Sequence, residues 1–157
     1  MTISRILCPI DFSETSAHAL EQAVAVATGY KGHLTVLHVH PAVNRTYGLP
    51  TTDEAAAGQP VHAILHHATR LPADLLVMGT HGASGFQHLL LGSVTERVLR
   101  RATCPVLTVP PRAHTSATQF RLVLCAVDFS EWSVKAAAAA ASMARESGAS
   151  LTLLHVL

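Results

Sequence analysis

Residues 73–82 read Ala-Asp-Leu-Leu-Val-Met-Gly-Thr-His-Gly, and after nine further residues the chain continues with Gly92-Ser93. The apolar run 75–78 predicts a short strand that is buried on both faces. The glycines after it predict a loop that leads into the start of a helix. A strand, a glycine-rich loop and a helix N-terminus together present backbone N–H groups to a bound phosphate. This stretch therefore predicts an α/β fold with a nucleotide site at the end of a strand.

The spacing of the glycines separates this loop from two common phosphate-binding motifs. No Gly-Lys-Ser or Gly-Lys-Thr follows them, and the spacing of a dinucleotide-binding fold is absent. With Asp11 at the end of the first predicted strand, the loop resembles the Gly-x2-Gly-x9-Gly-Ser/Thr pattern of the ATP-binding branch of the universal stress protein family. Every defined position is matched, by Gly79, Gly82, Gly92 and Ser93. Residues 89–96 and 104–109 also resemble the last helix and strand of that family.

The resemblance implies an α/β fold with a doubly wound, Rossmann-like parallel sheet. In such sheets the ligand lies at the carboxyl ends of the strands where the chain direction switches. The implied ligand is ATP, with or without Mg²⁺, and Asp11 is expected to contact the ribose or a metal-associated phosphate. The predicted binding residues are Pro9, Ile10, Asp11, Val39, Met78, Gly79, His81, Gly82, Gly92, Ser93 and Val94.

Some of these residues also have purely structural explanations. The run Ser93-Val94-Thr95-Glu96 fits a capping box, in which the Ser93 side chain caps the helix. An aspartate after a strand, as at position 11, is common in turns and helix caps. Pro9 lies inside a predicted central strand, where it has no N–H to donate to the ladder. The apolar wall residues are core residues by default.

The chain contains an internal duplication at an offset of 117 residues. Residues 7–14 align with 124–131, and the register continues to 34–39 and 151–156. Each copy is predicted to form a strand, a helix and a second strand. We therefore divide the chain into a nucleotide-binding domain at residues 1–110, a linker at 111–119 and a partial second repeat, a βαβ unit, at 120–157.

Both copies are shorter than the complete domain of the family, which has five parallel strands in the order 3-2-1-4-5. The stretch from Val39 to Gly58 is too short for the second helix and third strand, and the second copy has no glycine loop. The second copy is therefore expected not to bind nucleotide alone. An exposed strand edge invites pairing, so we expect docking on a sheet edge within the chain, a homodimer or a strand-swapped assembly.

Composition restricts the partners and the location. The chain has 157 residues, of which 49% are hydrophobic and 13% charged, and its formal net charge is +1. This balance favours one globular domain and gives no field that would attract nucleic acid or an anionic membrane. The three cysteines, an odd number without metal spacing, suit reduced core residues of a cytoplasmic protein. No signal peptide or membrane span is predicted.

The eleven histidines raise the question of a metal site. His38 and His40 alternate along a strand and could share a ligand. Further candidates are His66, His67, His81 and His88. No acidic or cysteine ligands cluster near them, so we predict no metal. Within the loop, a protonated His81 could instead donate a hydrogen bond to a phosphate.

The predicted function is an ATP-binding regulatory module of the stress response that acts through partners. A slow ATPase or autophosphorylating enzyme is one alternative. It would need a positioned base and charge stabilisation at the γ-phosphate, whereas no lysine adjoins the loop and only Asp11 is an evident acidic candidate. A nucleotide-free, dimerising interaction protein is the other alternative, in which the glycine motif is a remnant.

Overall fold

The computed structural model describes residues 3–39, 60–82, 91–111 and 120–156. The predicted shortened stretch at 40–58 and most of the predicted linker lie outside these ranges. No helix within them is both long enough and apolar enough to cross a membrane. The elements are β1 (Arg5–Ile10), α1 (Glu14–Tyr30), β2 (His33–His38), α2 (Pro60–Arg70), β3 (Leu75–Gly79), α3 (Ser93–Arg101), β4 (Val106–Val109), β5 (Leu122–Ala126), α4 (Glu131–Ser147) and β6 (Ser150–Leu154).

The first four strands form one parallel sheet in the order β2-β1-β3-β4. The chain moves outward in one direction from β1 to β2 and in the other from β3 to β4, as in a doubly wound sheet. The predicted fold class is therefore confirmed. The switch in direction lies between β1 and β3.

Alternate residues of each strand point to opposite faces of this sheet, so both faces carry side chains. Helices cover both faces. On one face, Ile6, Cys8 and Val77 pack against Ala19 and Ala23 of α1. On the other face a second buried cluster joins the strands to α2 and α3. Its members are Leu7, Leu76, Met78, Val61, Ile64, Ala68 and Val98. Burial on both faces explains why the two central strands, β1 and β3, are continuous apolar runs rather than alternating ones.

The ladder between β1 and β3 is short and leaves a crevice at the switch point. It contains only the pairs Ile6–Leu75 and Leu7–Leu76, whereas β3 and β4 stay paired as far as Gly79. Pro9 lies beyond the last of these β1–β3 pairs. The conflict predicted for a proline in a central strand is therefore reduced, because no ladder with β3 continues at its position.

Strands β5 and β6 form a separate two-stranded parallel sheet that packs against α4. The predicted docking of the second copy on an edge of the first sheet is wrong, since among the described strands β5 and β6 pair only with each other. The two copies meet instead through α1 and α4. An apolar groove of about 370 Å³ between these helices is lined by Val24, Tyr30 and Met143, among others.

The duplication is visible in the details of the fold. Phe12 and Phe129 both have a φ of 63°, an unusual value for a residue other than glycine. Each of these rings contacts a histidine at the end of the second strand, with centroids 4.5 Å apart at His38 and 4.6 Å apart at His155. Equivalent residues thus build the same turn twice.

Candidate functional site

A cleft of about 530 Å³ lies at the carboxyl ends of β1 and β3, above the point where their ladder ends. All eleven predicted binding residues line it: Pro9, Ile10, Asp11, Val39, Met78, Gly79, His81, Gly82, Gly92, Ser93 and Val94. The elements that meet here are the ends of β1, β2 and β3, the glycine loop and the start of α3. The structure therefore brings together residues that are far apart in the sequence.

Two backbone hydrogen bonds close the glycine loop at its base. The N–H of Gly92 donates to the carbonyl of Thr80 over 2.7 Å, and the N–H of Thr80 donates to the carbonyl of Val109 over 2.9 Å. The first bond joins the two ends of the loop, and the second attaches it to β4. The start of α3 is consequently held against the end of β3, whatever ligand the loop contacts.

The three glycines of the motif allow different close approaches. A Cβ at Gly79 would lie 2.8 Å from Thr15 Cγ2 and 3.1 Å from the Thr15 carbonyl oxygen, so this glycine lets α1 pack on β3. A Cβ at Gly82 would lie 2.6 Å from Asp11 Oδ2. A Cβ at Gly92 would lie 3.2 Å from the Thr80 carbonyl oxygen. Gly79 is thus needed for packing, while Gly82 leaves room beside a carboxylate in the cleft.

The start of α3 differs from the predicted capping box. The N-cap residue is Gly92, with extended backbone angles, and Ser93 is the first helical residue. The capping role predicted for Ser93 is therefore wrong, because Ser93 lies one position too late to accept from the first turn. The N–H groups of Ser93, Val94 and Thr95 have no acceptor within the helix. Together with the helix dipole they favour a negative charge at this end of the cleft.

Asp11 orders the turn that follows its strand, which is the structural role considered for it, and it also faces the cleft. Its Oδ1 accepts hydrogen bonds from the Ser13 N–H over 3.1 Å and from the Ser13 hydroxyl over 2.6 Å. Ser13 in turn caps α1, since its hydroxyl oxygen accepts from the Ser16 N–H over 3.2 Å. One carboxylate oxygen thus orders the turn, while Oδ2 lies against Gly82.

Five further lining residues were not predicted, namely Ser16, Leu37, Pro60, Ile64 and Thr95. Thr95 is buried, and its hydroxyl donates to the Gly79 carbonyl over 2.8 Å. This bond ties α3 to the end of β3. Thr95 lies three residues before the buried Val98 and therefore on the same face of α3. A polar residue on a buried helix face was the sequence feature that could have identified it. Leu37 of β2 and Ile64 of α2 are apolar residues that the sequence pattern assigns to the core, and Pro60 is the first residue of α2.

The histidines and cysteines add little reactive chemistry to this region. In the cleft, His81 Nδ1 lies 3.0 Å from the Thr80 hydroxyl. Within the described ranges, no group of three or more His, Cys, Asp or Glu residues could hold a metal ion, and His40 and His88 lie outside them. Burial raises the pKa of the Cys8 thiol to about 12, so this residue is a protonated core side chain rather than a nucleophile.

These features define a class of protein, a doubly wound α/β protein with a glycine-rich cleft at the switch point and a duplicated strand-helix-strand unit. The model of the universal stress protein family matches residues 2–57, 45–110 and 119–157. The chain therefore belongs to the universal stress protein family, and the predicted resemblance to it is confirmed.

Curated and solved relatives agree with this assignment. Universal stress protein YxiE from Bacillus subtilis (strain 168) is 32% identical over 145 residues, an alignment that covers 68% of this chain and 98% of YxiE. A universal stress protein from Archaeoglobus fulgidus DSM 4304 superposes with a TM-score of 0.72 at 25% identity, covering 96% of this chain and 65% of that one. A universal stress protein solved in complex with cAMP superposes with a TM-score of 0.54 at 26% identity, covering 71% of this chain and 99% of that one.

Proposed function

We propose that the cleft binds an adenine nucleotide, ATP above all, and that the protein is a stress-response regulatory module that acts through partners. The observation that carries this proposal is the convergence of the eleven predicted residues in one cleft. A relative of known structure that holds cAMP supports an adenine nucleotide as the ligand class. A cytoplasmic location is part of the proposal, because Cys8, Cys104 and Cys125 are all free.

Each part of the cleft suits one part of such a ligand. The open N–H groups at Ser93 and Val94 and the backbone of the loop would bind phosphate oxygens. Asp11, at the mouth, would accept hydrogen bonds from ribose hydroxyl groups. The apolar wall, which includes Val39 and Met78, would contact the adenine ring. Mg²⁺ would fit beside Asp11, because this ion binds through one or two carboxylates together with substrate phosphates and water.

Binding without efficient catalysis is favoured over an enzyme. Among the described lining residues there is no lysine or arginine to stabilise charge on a γ-phosphate. Asp11 is the one carboxylate among them, and one of its oxygens already orders the turn before α1. The predicted homodimer or strand-swapped assembly belongs to this proposal as the route to partners.

The proposal is tested by identifying the nucleotide that copurifies with the protein. We expect denatured protein to release an adenine nucleotide at about one per chain, measured by mass spectrometry. Added Mg-ATP at about a hundred times its Kd should stabilise nucleotide-free protein by roughly 2.7 kcal/mol. Both effects should be lost in Gly82→Leu, because the new side chain would enter the cleft beside Asp11.

Gly29→Leu is the matched control, since a Cβ at Gly29 meets no atom within 4 Å. It should retain both the released nucleotide and the thermal shift. Release of no nucleotide, together with no thermal shift on adding Mg-ATP, would contradict the proposal and favour the nucleotide-free interaction protein.

A further inference from the structure

We propose that Thr95 is a positioning residue for phosphate binding, because its buried hydroxyl fixes the direction of the backbone N–H groups at the start of α3. This inference rests on the proposed nucleotide site and deepens it, since it assigns the alignment of the phosphate-binding groups to one side chain. The glycine motif does not contain this residue, because the last defined position of the motif is Ser93.

The hydroxyl of Thr95 joins α3 to the last residue of β3. Thr95 lines the cleft, yet only 4% of its surface is exposed. Its hydroxyl donates to the Gly79 carbonyl over 2.8 Å. Gly79 is in turn paired with Val109 in the ladder between β3 and β4. The acceptor therefore belongs to a strand inside the sheet, so the bond fixes the helix to a rigid element.

A second contact anchors the same segment three residues earlier. The N–H of Gly92, the N-cap, donates to the Thr80 carbonyl over 2.7 Å. Ser93 and Val94, whose N–H groups are proposed to bind phosphate, lie between these two anchors. With the Gly92 bond alone, the first turn of α3 could pivot about that residue. The bond from Thr95 removes this freedom, and the two N–H groups then point in one direction.

The alignment of these N–H groups matters for anion binding. A hydrogen bond weakens steeply when the angle at its hydrogen departs far from linear, and donors that are fixed beforehand lose little freedom when the ligand arrives. The remainder of α3 is held by Val98, which is fully buried in the cluster that joins the strands to α2 and α3. Loss of the Thr95 bond should therefore misalign the first turn without detaching the helix.

A purely structural role is the competing explanation of this bond, since a buried hydroxyl needs a hydrogen-bond partner. In that case, removing the hydroxyl lowers the stability of the protein but leaves the affinity of the folded protein for each ligand unchanged. A positioning role predicts a loss of affinity for ligands that carry phosphate and no loss for adenosine. The ratio of the two affinities distinguishes the two roles.

Thr95→Val is the direct test, because valine has nearly the same shape and lacks the hydroxyl. The full chain, freed of nucleotide, is titrated calorimetrically with Mg-ATP, and the affinity for adenosine is measured by its displacement of Mg-ATP. We expect the affinity for Mg-ATP to fall by a factor on the order of ten, the effect of losing about one hydrogen bond to a charged group. The affinity for adenosine should stay the same. Thr95→Ser keeps the hydroxyl and should retain both affinities.

Ser130→Ala is the matched control for stability. It removes the N-cap side chain of α4 in the second copy, where the Ser130 hydroxyl oxygen accepts from the Ser133 N–H over 3.2 Å. This change should destabilise the protein without altering either affinity, so a loss that is confined to Thr95→Val does not come from lower stability. Thr95→Ala also lacks the hydroxyl and gives the same comparison if Thr95→Val does not fold.

The outcomes separate this inference from the proposed function. If the variants without the hydroxyl bind Mg-ATP as the wild type does, or lose the same factor for Mg-ATP and adenosine, the positioning role is overturned while the nucleotide site stands. A selective loss for Mg-ATP in Thr95→Ser as large as in Thr95→Val would also overturn it. If the wild type binds neither ligand, the nucleotide site itself is wrong and the role of Thr95 fails with it.

Discussion

Asp74 joins the turn before β3 to the start of β1. Its Oδ2 accepts from the Ser4 hydroxyl over 2.7 Å and from the Arg5 N–H over 2.9 Å, and its Oδ1 accepts from Arg5 Nη2 over 2.9 Å. Hydrogen bonds from Arg5 and then from Ser4 hold the pKa of this carboxyl well below its usual range. The ionised form is therefore the one that the fold stabilises.

We predict that Asp74→Ala lowers the free energy of unfolding by about 1–2 kcal/mol at pH 7, because hydrogen bonds to a charged group are lost. A carboxyl with a lowered folded-state pKa contributes its full stability above the unfolded-state pKa, near 4. That contribution is lost as the pH falls from there toward the folded-state pKa. Urea unfolding should thus show a smaller difference between mutant and wild type at pH 3 than at pH 7.

The pH dependence distinguishes the charge from the shape of this side chain. Asp74→Asn keeps an acceptor oxygen but has no titratable group, so it should fall between the wild type and Asp74→Ala at pH 7. A deficit of Asp74→Ala that is the same at both pH values would contradict the role given to the ionised carboxylate.

At the scale of elements, a local contact fixes the start of some helices and a distant contact fixes the start of others. α1 and α4 begin with a capping serine, and both Ser13 and Ser130 accept from an N–H three residues later over 3.2 Å. The N-cap of α3 is Gly92, which has no side chain and is fixed by the bond from its N–H to the Thr80 carbonyl. The N–H groups of α3 are consequently left available at the cleft.

We predict that two serine-to-alanine substitutions differ in how much they lower the free energy of unfolding. Ser13→Ala should lower the free energy of unfolding by about 1 kcal/mol, the usual effect of losing an N-cap side chain. Ser93→Ala should change it by less than about 0.5 kcal/mol, and it should leave nucleotide binding largely intact because alanine keeps the backbone N–H proposed to contact the phosphate. Urea unfolding and calorimetric titration of each variant measure both effects.

Equal destabilisation by the two substitutions would contradict the N-cap at Gly92 and restore the capping role of Ser93. A large loss of nucleotide affinity in Ser93→Ala would contradict a contact made by the backbone N–H alone and would assign a contact to the Ser93 hydroxyl. The two measurements therefore test the two roles of Ser93 separately.

Local sequence pattern predicted most of the elements, but it could not predict how distant segments fix one another. Apolar runs and helical periodicity are local signals, so the strand predicted at 75–78 has bounds close to those of β3, and the strand-helix-strand order of both copies was found. The capping box failed at Ser93 because the position of the N-cap is set by the Thr80 carbonyl, on the other side of the loop. Thr95 was missed for the same reason, since its partner is the Gly79 carbonyl.

The duplicated units share local geometry but differ in burial at the scale of the whole molecule. Ser13 and Ser130 form the same caps, and His38 and His155 bond the same carbonyl position over 2.9 and 2.8 Å. Leu7 nevertheless has 1% of its surface exposed, because α2 and α3 cover that face of the first sheet. The sequence repeat predicted the shared geometry. The burial of Leu7 depends instead on α2 and α3, which have no counterpart in the second copy among the described elements.

The equivalent residue in the second copy has a different environment. Leu124 is 61% exposed on β5, next to Leu122 at 63% and Leu154 at 45%. We therefore predict that Leu7→Ala lowers the free energy of unfolding by about 2–5 kcal/mol, as is usual for a buried leucine. Leu124→Ala should lower it by less than about 0.5 kcal/mol. Urea unfolding of both variants at one protein concentration gives the comparison.

The concentration dependence of the same experiment tests the predicted assembly. If Leu124 stays exposed in solution, the small effect of Leu124→Ala should be the same at every protein concentration. If two copies of the chain associate and bury the exposed face of β5 and β6 between them, association stabilises the folded state by mass action. The wild type should then gain stability with concentration and Leu124→Ala should not, while Leu7→Ala would lose the same free energy throughout. Comparing Leu7→Ala with Leu124→Ala thus distinguishes a leucine buried in the core of one chain from a leucine buried at an interface between chains.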